Sequence, residues 1–416
     1  MSTAVVIGGG AVGLLSAYEL HQRGVDVTVI DKGQFGKGCS EGNAGWVTPS
    51  LSDPVPAPGL LGTSLKWLLR SDSPLYIRPT SVPGMAPWLY RFWRHCNEND
   101  FLRGMTATAR FSIPTMQLYD KLVENGVKFE MHQTGLLLAA MNRGYLDHLA
   151  EGLALMRQFG YGEPVEIHGR ELHDFEPALT DEVVAGLWVR EERLVRPETL
   201  TAGVSEWLAE RGVTLLSGVE VTGIRHSSSG VSHVETREGP LEADAVLIAA
   251  GAWSGDVARL AGIKLPMQAG KGYNVTVQNP ELKVNHATYF SEVRVACSPF
   301  DNALRVSGTM ELSGVNTRFD PRRLDAIRRG ATRCLGNWDR GSGETSWVGM
   351  RPMLPDGLPA IGRAPGFDNL FLATGHAMLG ITLGPATAAA IAGLMAGASD
   401  VPDLTAFDPG RFGGRR

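Results

Sequence analysis

Residues 4–31 read AVVIGGGAVGLLSAYELHQRGVDVTVID, and this stretch decides the fold. Ala4 to Ile7 is a short apolar run of the kind a buried parallel strand uses, after which Gly8, Gly10 and Gly13 fall at G-x-G-x-x-G spacing. Gly8 permits the tight turn, Gly10 lets the backbone approach a pyrophosphate with no Cβ in the way, and Gly13 lets the next helix pack closely on the strand. The phosphates would sit at the helix N-terminus, beside Ala11 and Val12, where unpaired N–H groups and the positive dipole end favour an anion. Leu14, Ala17 and Leu20 recur at helical spacing, and Gly24 stands where a left-handed residue would end the helix. Asp26 to Ile30 alternates into a second strand ending in Asp31, whose carboxylate can accept both hydroxyls of a ribose, with Lys32 next to it. Together these features predict a dinucleotide site on a Rossmann-like α/β fold.

The chain has 416 residues, too many for one small core, which suggests roughly two to three domains. With 43% hydrophobic and 20% charged residues it has the composition of an ordinary globular protein. Its net charge of -5 gives no reason to expect a nucleic-acid partner. Cys39, Cys96, Cys297 and Cys334 are scattered, with no C-x-x-C pair, so reduced thiols are expected and no metal site. No leader pattern precedes Ala4 and no apolar run is long enough to span a bilayer, so the expected location is cytoplasmic, with peripheral contact to a membrane left open.

Beyond Asp31, KGQFGKGCSEGNAGWVTPS reads as a loop returning over the cofactor, where Ser40 and the Asn43-Ala44-Gly45 turn offer short side chains and backbone donors. Residues 54–97 are rich in proline and large apolar groups. The prolines predict short helices joined by turns, and Trp67, Trp88 and Trp93 suit a lid, a lipid-facing surface or a satellite core. Helices are expected over Thr106–Asn125 and Tyr145–Phe159 with a strand at Gly135–Met141 between them. A helix entered at Pro197 leads into a strand that continues to Val221, and two further strands follow within His226–Arg237. Ala245 to Ala249 is an apolar strand, Ala250-Gly251-Ala252 a turn, and a helix starts near Ser254. Residues 265–323 alternate as the strands of a separate antiparallel sheet would. Leu370 to Ala373 is a strand, Gly375 to Gly384 a glycine-punctuated loop, and Pro385 to Met395 a helix whose N-terminus could support negative charge on a flavin.

Four stretches in this order resemble the D-amino acid oxidase superfamily of FAD flavoproteins, above all its D-amino acid dehydrogenase branch: VVIGGGAVG with Asp31, SEGNAGWV, ADAVLIAAGAWS, and GMRPMLPDGLPAIG followed by NLFLATGHAMLGITLGPATA. The resemblance implies a discontinuous FAD-binding domain with a parallel sheet (1–50, 195–262 and 345–416) and an α+β substrate domain with an antiparallel sheet (51–194 and 263–344). It implies FAD held noncovalently, since no cysteine lies between Trp347 and Thr382. The Gly8–Gly13 turn would hold pyrophosphate, Asp31 ribose and Val221 adenine, while Asn43 to Trp46 would lie beside the flavin. Ala250, Gly251, Trp253 and Gly349 would join the cofactor site, and Gly375, Met378, Leu379, Gly380, Ile381 and Thr382 would cover the pyrimidine end.

In that family the arginine of the G-x-R-P motif, here Arg351, pairs with the substrate carboxylate through a bidentate fork. Related oxidases carry a second arginine in the G-H-x-x-x-G loop. Here that loop is His376-Ala377-Met378-Leu379, which puts forward Tyr273 or Tyr289 as the second carboxylate partner and His376 as a flavin-loop residue. Arg294 and Arg305 alternate so that either could point inward. The implied reaction passes a hydride from the Cα of a D-amino acid, D-proline and hydroxy-D-proline included, to flavin N5, with electrons going on to a quinone or carrier protein. The alternatives are an oxygen-using oxidase of the same fold and the flavin subunit of a hetero-oligomer.

Overall fold

The computed structural model describes residues 2–60, 75–227 and 230–413. Its first sheet has six strands in the order Thr214–Ser217, Asp26–Asp31, Thr3–Ile7, Ala245–Ile248, Leu370–Thr374 and Ala360–Arg363. The first five are parallel and the last is antiparallel. Strand order reverses at Thr3–Ile7, which opens a crevice beyond its C-terminal end.

Both faces of this sheet are buried, which explains why its strands read as unbroken apolar runs. Ala4, Val6, Val27 and Leu247 pack under helices Ala11–Gln22, Pro197–Glu210 and Gly384–Ala396. Val5, Ile7, Val246 and Ile248 pack against a small antiparallel sheet (Val221–Ser227, Gly230–Thr236, Gly239–Glu242) and helix Ser254–Leu260.

The second large sheet has nine strands. Gly343–Met353 is at its edge, followed by Gln268–Gln278, Ala303–Leu312, Val295–Phe300 and Ala287–Phe290, all antiparallel neighbours. The sheet is mixed rather than purely antiparallel: Ala287–Phe290 runs parallel to Leu136–Ala140, and Leu75–Ile77 parallel to the end of Ala303–Leu312. Helix Pro321–Cys334 closes one face through Leu324, Ile327 and Ala331.

Four local expectations need correction. The strand expected to continue to Val221 breaks at Gly218, whose φ of 78° turns the chain from the parallel sheet into the small one. The helix expected over Thr106–Asn125 is two helices, Glu98–Ser112 and Thr115–Glu124, separated at Pro114, whose missing N–H interrupts the ladder. Conversely, Val82–His95 is one helix despite its prolines. Pro83 occupies its first turn, where no N–H is needed, and Pro87 lies near enough to the start to forfeit one hydrogen bond. Lastly, Gly343–Met353 pairs along its whole length with Gln268–Gln278, so residues 345–353 of the segment assigned to the nucleotide domain lie in the other sheet.

Candidate active site

A cavity of about 460 Å³ follows the crevice from Asp31 and Val221 at one end to His376 and Ile381 at the other. At the first end the glycine turn is as tight as its sequence demands. A Cβ on Gly8, at φ 117°, would lie 2.5 Å from the Ala249 carbonyl oxygen, and one on Gly13 would lie 1.9 Å from the Gly8 oxygen. Asp31 braces the turn: its Oδ2 accepts from Gly9 N and its Oδ1 from Gly33 N, both at 2.8 Å. The backbone N–H of Val219 donates to the Asp31 carbonyl at 2.9 Å, which brings Val219–Val221 to the same end. Lys32 Nζ lies 4.2 Å from the centre of the Trp253 ring, a cation–π pair at the cavity wall. Ser40 Oγ accepts from Ala11 N at 3.0 Å, so the returning loop is docked on the helix N-terminus.

This end therefore fits the adenosine and pyrophosphate of FAD: a cradle that admits no Cβ, a carboxylate in its wall and a helix N-terminus facing in. Asp31→Ala is expected to hold FAD about 10–100-fold more weakly, since it removes an acceptor and unpins Gly9. Flavin released on ultrafiltration measures this, and a fully loaded variant would contradict the assignment.

At the other end, two loops meet the strand Gly343–Met353. Residues 41–44 are tied to the nine-stranded sheet through their carbonyls. Arg305 Nη1 donates to Asn43 O at 2.7 Å and Glu41 O at 3.3 Å, Asn274 Nδ2 to Gly42 O at 2.8 Å, and Ser298 Oγ to Ala44 O at 2.7 Å. Arg305 also pairs with Glu198, so this buried guanidinium faces inward as a loop clamp. Thr382 Oγ1 accepts from Thr48 N at 3.1 Å and donates to Trp46 O at 3.0 Å, joining that loop to the C-terminal one. Ala377 N donates to Pro352 O at 2.9 Å, which joins the C-terminal loop to the strand carrying Arg351.

Along that strand Trp347, Gly349 and Arg351 share one face. The Trp347 indole covers Gly349 and Gly42, and Gly272 lies directly under the Arg351 guanidinium. Arg351 Nη1 donates to Thr309 O at 2.9 Å. Burial, and secondarily the charge of Arg323, lowers the Arg351 pKa, while Cys39 beside it pulls the other way. Among the described residues no carboxylate pairs with it. Burial pushes the Cys39 thiol up to about 11, so it is protonated at neutral pH.

His376 is 4% exposed, its Nε2 lies 2.9 Å from Thr387 Oγ1, and burial depresses its pKa to about 3. It is neutral throughout the physiological range and cannot act as a proton donor there. Because the unfolded imidazole protonates near its ordinary 6.5, the stability His376 contributes is complete above that pH and is lost as pH falls towards 3. Between about pH 7.5 and about pH 5, wild type should lose about 2 kcal/mol more unfolding free energy than His376→Gln, read from urea midpoints.

Of the residues expected to bind cofactor, Gly8, Gly10, Ala11, Val12, Asp31, Lys32, Ser40, Asn43, Val221, Ala250, Gly251, Trp253, Gly380 and Ile381 line the cavity, as does His376. Others do not. Gly13 and Gly375 are packed against backbone or Leu354, and Gly349 lies beneath Trp347. Ala44, Gly45, Trp46 and Thr382 act through backbone or hydroxyl bonds that join the loops. Met378 points its side chain to solvent, and Leu379 packs into the helix-side core.

Both tyrosines are corrected. Tyr273 alternates to the sheet face opposite Arg351, where its hydroxyl donates to Glu311 at 2.6 Å within the core. Tyr289 stacks edge-on to Trp46 and takes a 3.4 Å hydrogen bond from Arg294, away from the cavity. Trp88 is core, buried with Met85, Leu312, Met353 and Ala377, while Trp93 is 53% exposed and Trp67 lies outside the described residues. Sequence reasoning missed Cys39, Asn274, Ser298 and Trp347. Trp347 had a signal, its even spacing from Arg351 along a strand; Cys39 had none.

Glu130, His132 and Asp301 also converge within 4.8 Å, but Arg196 already occupies one oxygen of Glu130. Among the described residues no helix is long and apolar enough to cross a membrane.

A family model described as FAD dependent oxidoreductase matches residues 3–394. The chain is 31% identical over 425 residues to a D-amino acid dehydrogenase of Bradyrhizobium diazoefficiens, covering 99% of each chain. Among solved structures it is similar to L-proline dehydrogenase from P. horikoshii, at a TM-score of 0.78 and 22% identity over 100% of this chain and 99% of that one. It is also similar to glycine oxidase from Geobacillus kaustophilus, at 0.76 and 23% over 98% of both chains.

Proposed function

The chain belongs to the family of FAD-dependent oxidoreductases, and from that premise we propose that it is a dehydrogenase of D-amino acids. One observation carries the reading: Arg351 is a guanidinium partly withdrawn from water, beside the reactive end of the cofactor cavity, with no carboxylate partner among the described residues. Such a charge is costly until an anion meets it, and an amino-acid carboxylate matches its fork. FAD, when bound, supplies the acceptor for the Cα hydride.

The residues of the chain bind and orient. Arg351 holds the carboxylate, and the Thr309 carbonyl fixes the direction of the fork. Met310, Leu312, Met353 and Trp88 form an apolar cluster on the same side of the sheet, which suits an aliphatic or cyclic side chain such as that of D-proline. No protein base is required if the amine enters neutral, and water hydrolyses the released imino acid to a 2-oxo acid and ammonia. FAD is held noncovalently, a reading supported by the protonated state of Cys39, the one cysteine lining the cavity among the described residues.

A quinone or a carrier protein is the electron acceptor in this reading. Helix Val82–His95 turns Trp88 inward and Tyr90, Arg91, Trp93 and Arg94 outward, a cationic and aromatic face suited to lipid headgroups and hence to a quinone source. The test is anaerobic bleaching of the bound flavin by a panel of D-amino acids, including D-proline and hydroxy-D-proline, followed by a quinone analogue or oxygen. Bleaching with rapid recovery on quinone is expected. Rapid reoxidation by oxygen with peroxide would make it an oxidase, and failure of every D-amino acid would remove the substrate class.

A further inference from the structure

The four successive carbonyls of residues 41–44 are all taken by one face of the nine-stranded sheet. Arg305 lies opposite Thr276 on one neighbouring strand and Ser298 on the other, and Asn274 is two residues from Thr276, so these side chains form one polar patch. A trans peptide unit points its N–H away from its C=O, so the N–H groups of Gly42, Asn43, Ala44 and Gly45 turn away from the sheet. Asn43 N donates to Ser40 O at 3.2 Å and Gly45 N to Asn43 Oδ1 at 2.8 Å. Those of Gly42 and Ala44 meet no acceptor among the described residues. The loop thus carries the negative ends of its peptide dipoles into the sheet and the positive ends outward, around Asn43, which lines the cofactor cavity.

Arg305 is the charged member of that patch. It is 4% exposed, and its Nε donates to Thr276 Oγ1 at 3.1 Å while Nη1 serves the Glu41 and Asn43 carbonyls. Its carboxylate partner is Glu198, in the first turn of helix Pro197–Glu210, with a side chain 27% exposed. The other charges around it are paired separately: Glu41 with Lys37, and Arg196, which shares the Phe300 ring with Arg305, with Glu130. A buried ion pair of this kind adds little to stability, whereas its field is strong in dry surroundings. Its two charges therefore act on whatever the loop faces.

We propose that the Arg305–Glu198 pair sets the reduction potential of the bound flavin through residues 41–44, with Arg305 as the positioning residue. The inference rests on the cofactor reading of the cavity and not on the substrate class. Two electrons and one proton turn the neutral oxidised flavin into the reduced anion, so reduction adds one negative charge in front of the loop. Arg305 favours that charge by its own field and by holding the peptide dipoles that face it. Glu198 offsets Arg305, so the balance of the pair fixes how strongly the flavin draws electrons. The carbonyl bonds tie both effects to the loop.

The test is the two-electron midpoint potential of the FAD-loaded protein, titrated with dithionite against a reference dye, a readout that needs no amino acid. In Glu198→Gln the amide oxygen still accepts from Arg305 while the negative charge is gone. The potential should rise, with the equilibrium between oxidised and reduced flavin shifted about tenfold, or about 30 mV. Arg305→Gln should lower it by a similar amount, and Arg305→Lys, which keeps the charge without the fork, should restore most of the loss. Shifts of one sign in both glutamine variants, as a merely loosened loop would give, or no shift in either, overturn the proposal. So does a lysine variant no better than the glutamine one. If Arg305→Gln is purified without flavin, the other two variants decide: a raised potential in Glu198→Gln with a near-wild-type one in Arg305→Lys upholds the pair, and an unchanged or lowered one in Glu198→Gln overturns it. A flavin that no D-amino acid bleaches, but whose potential moves with the pair, sinks the substrate reading and leaves this one standing.

Discussion

Arg351→Ala is expected to retain its FAD and to lose about a thousandfold in kcat/KM toward D-amino acids, equivalent to about 4 kcal/mol. The size follows from the setting. A carboxylate entering this site leaves water for a buried place where the Arg351 guanidinium, which pairs with no carboxylate among the described residues, offers a fork that matches its charge. The loss should appear mainly in KM if the fork binds ground and transition states alike, and in kcat as well if it sets the approach of Cα. Arg351→Lys should recover only a small part, because an ammonium cannot reproduce the two parallel bonds or the hold on Thr309. Stopped-flow flavin bleaching under anaerobic conditions separates the two. Unchanged rates in the alanine variant would remove Arg351 from the site.

Gly13→Ala is expected to be purified largely without FAD and to unfold at a lower denaturant concentration, by about 3 kcal/mol. The added methyl group would sit 1.9 Å from the Gly8 carbonyl oxygen and 3.4 Å from the Ala249 side chain. Gly8 cannot move away, because its own Cβ position is filled by Ala249 and its N–H is bonded to Ile30 O at 2.8 Å. The helix must therefore lift off the strand, which opens the cradle into which the pyrophosphate would fit. The flavin-to-protein absorbance ratio and a urea melt measure the two effects. A variant fully loaded and equally stable would show that the close packing is dispensable.

The nucleotide-binding unit was legible because each of its signals is local. Its strand, turn, helix and second strand lie within Ala4–Asp31, and each residue's role follows from neighbours a few positions away. Arg351 was legible only through resemblance to a family motif, since an arginine on an edge strand carries no local mark of its purpose. Arg305 shows the limit most plainly. Its alternation allowed either direction, and it faces inward because the carbonyls of Glu41 and Asn43, more than two hundred and fifty residues away in the chain, provide its acceptors. Tyr273 failed for the same reason in reverse: alternation puts it opposite Arg351, and the distant Glu311 supplies its hydroxyl with a partner.

By itself, then, the sequence determined the dinucleotide fold and the acid at its edge, because backbone geometry and burial periodicity are set by residues close in the chain. Only the tertiary structure decided which loops meet at the reactive end. It also decided that Arg351 lacks a carboxylate among the described residues, that His376 is neutral, and that the Thr309 carbonyl holds the Arg351 guanidinium. Those properties depend on which charges and dipoles are brought together and how much water they exclude. Both are products of contacts between segments far apart in the chain.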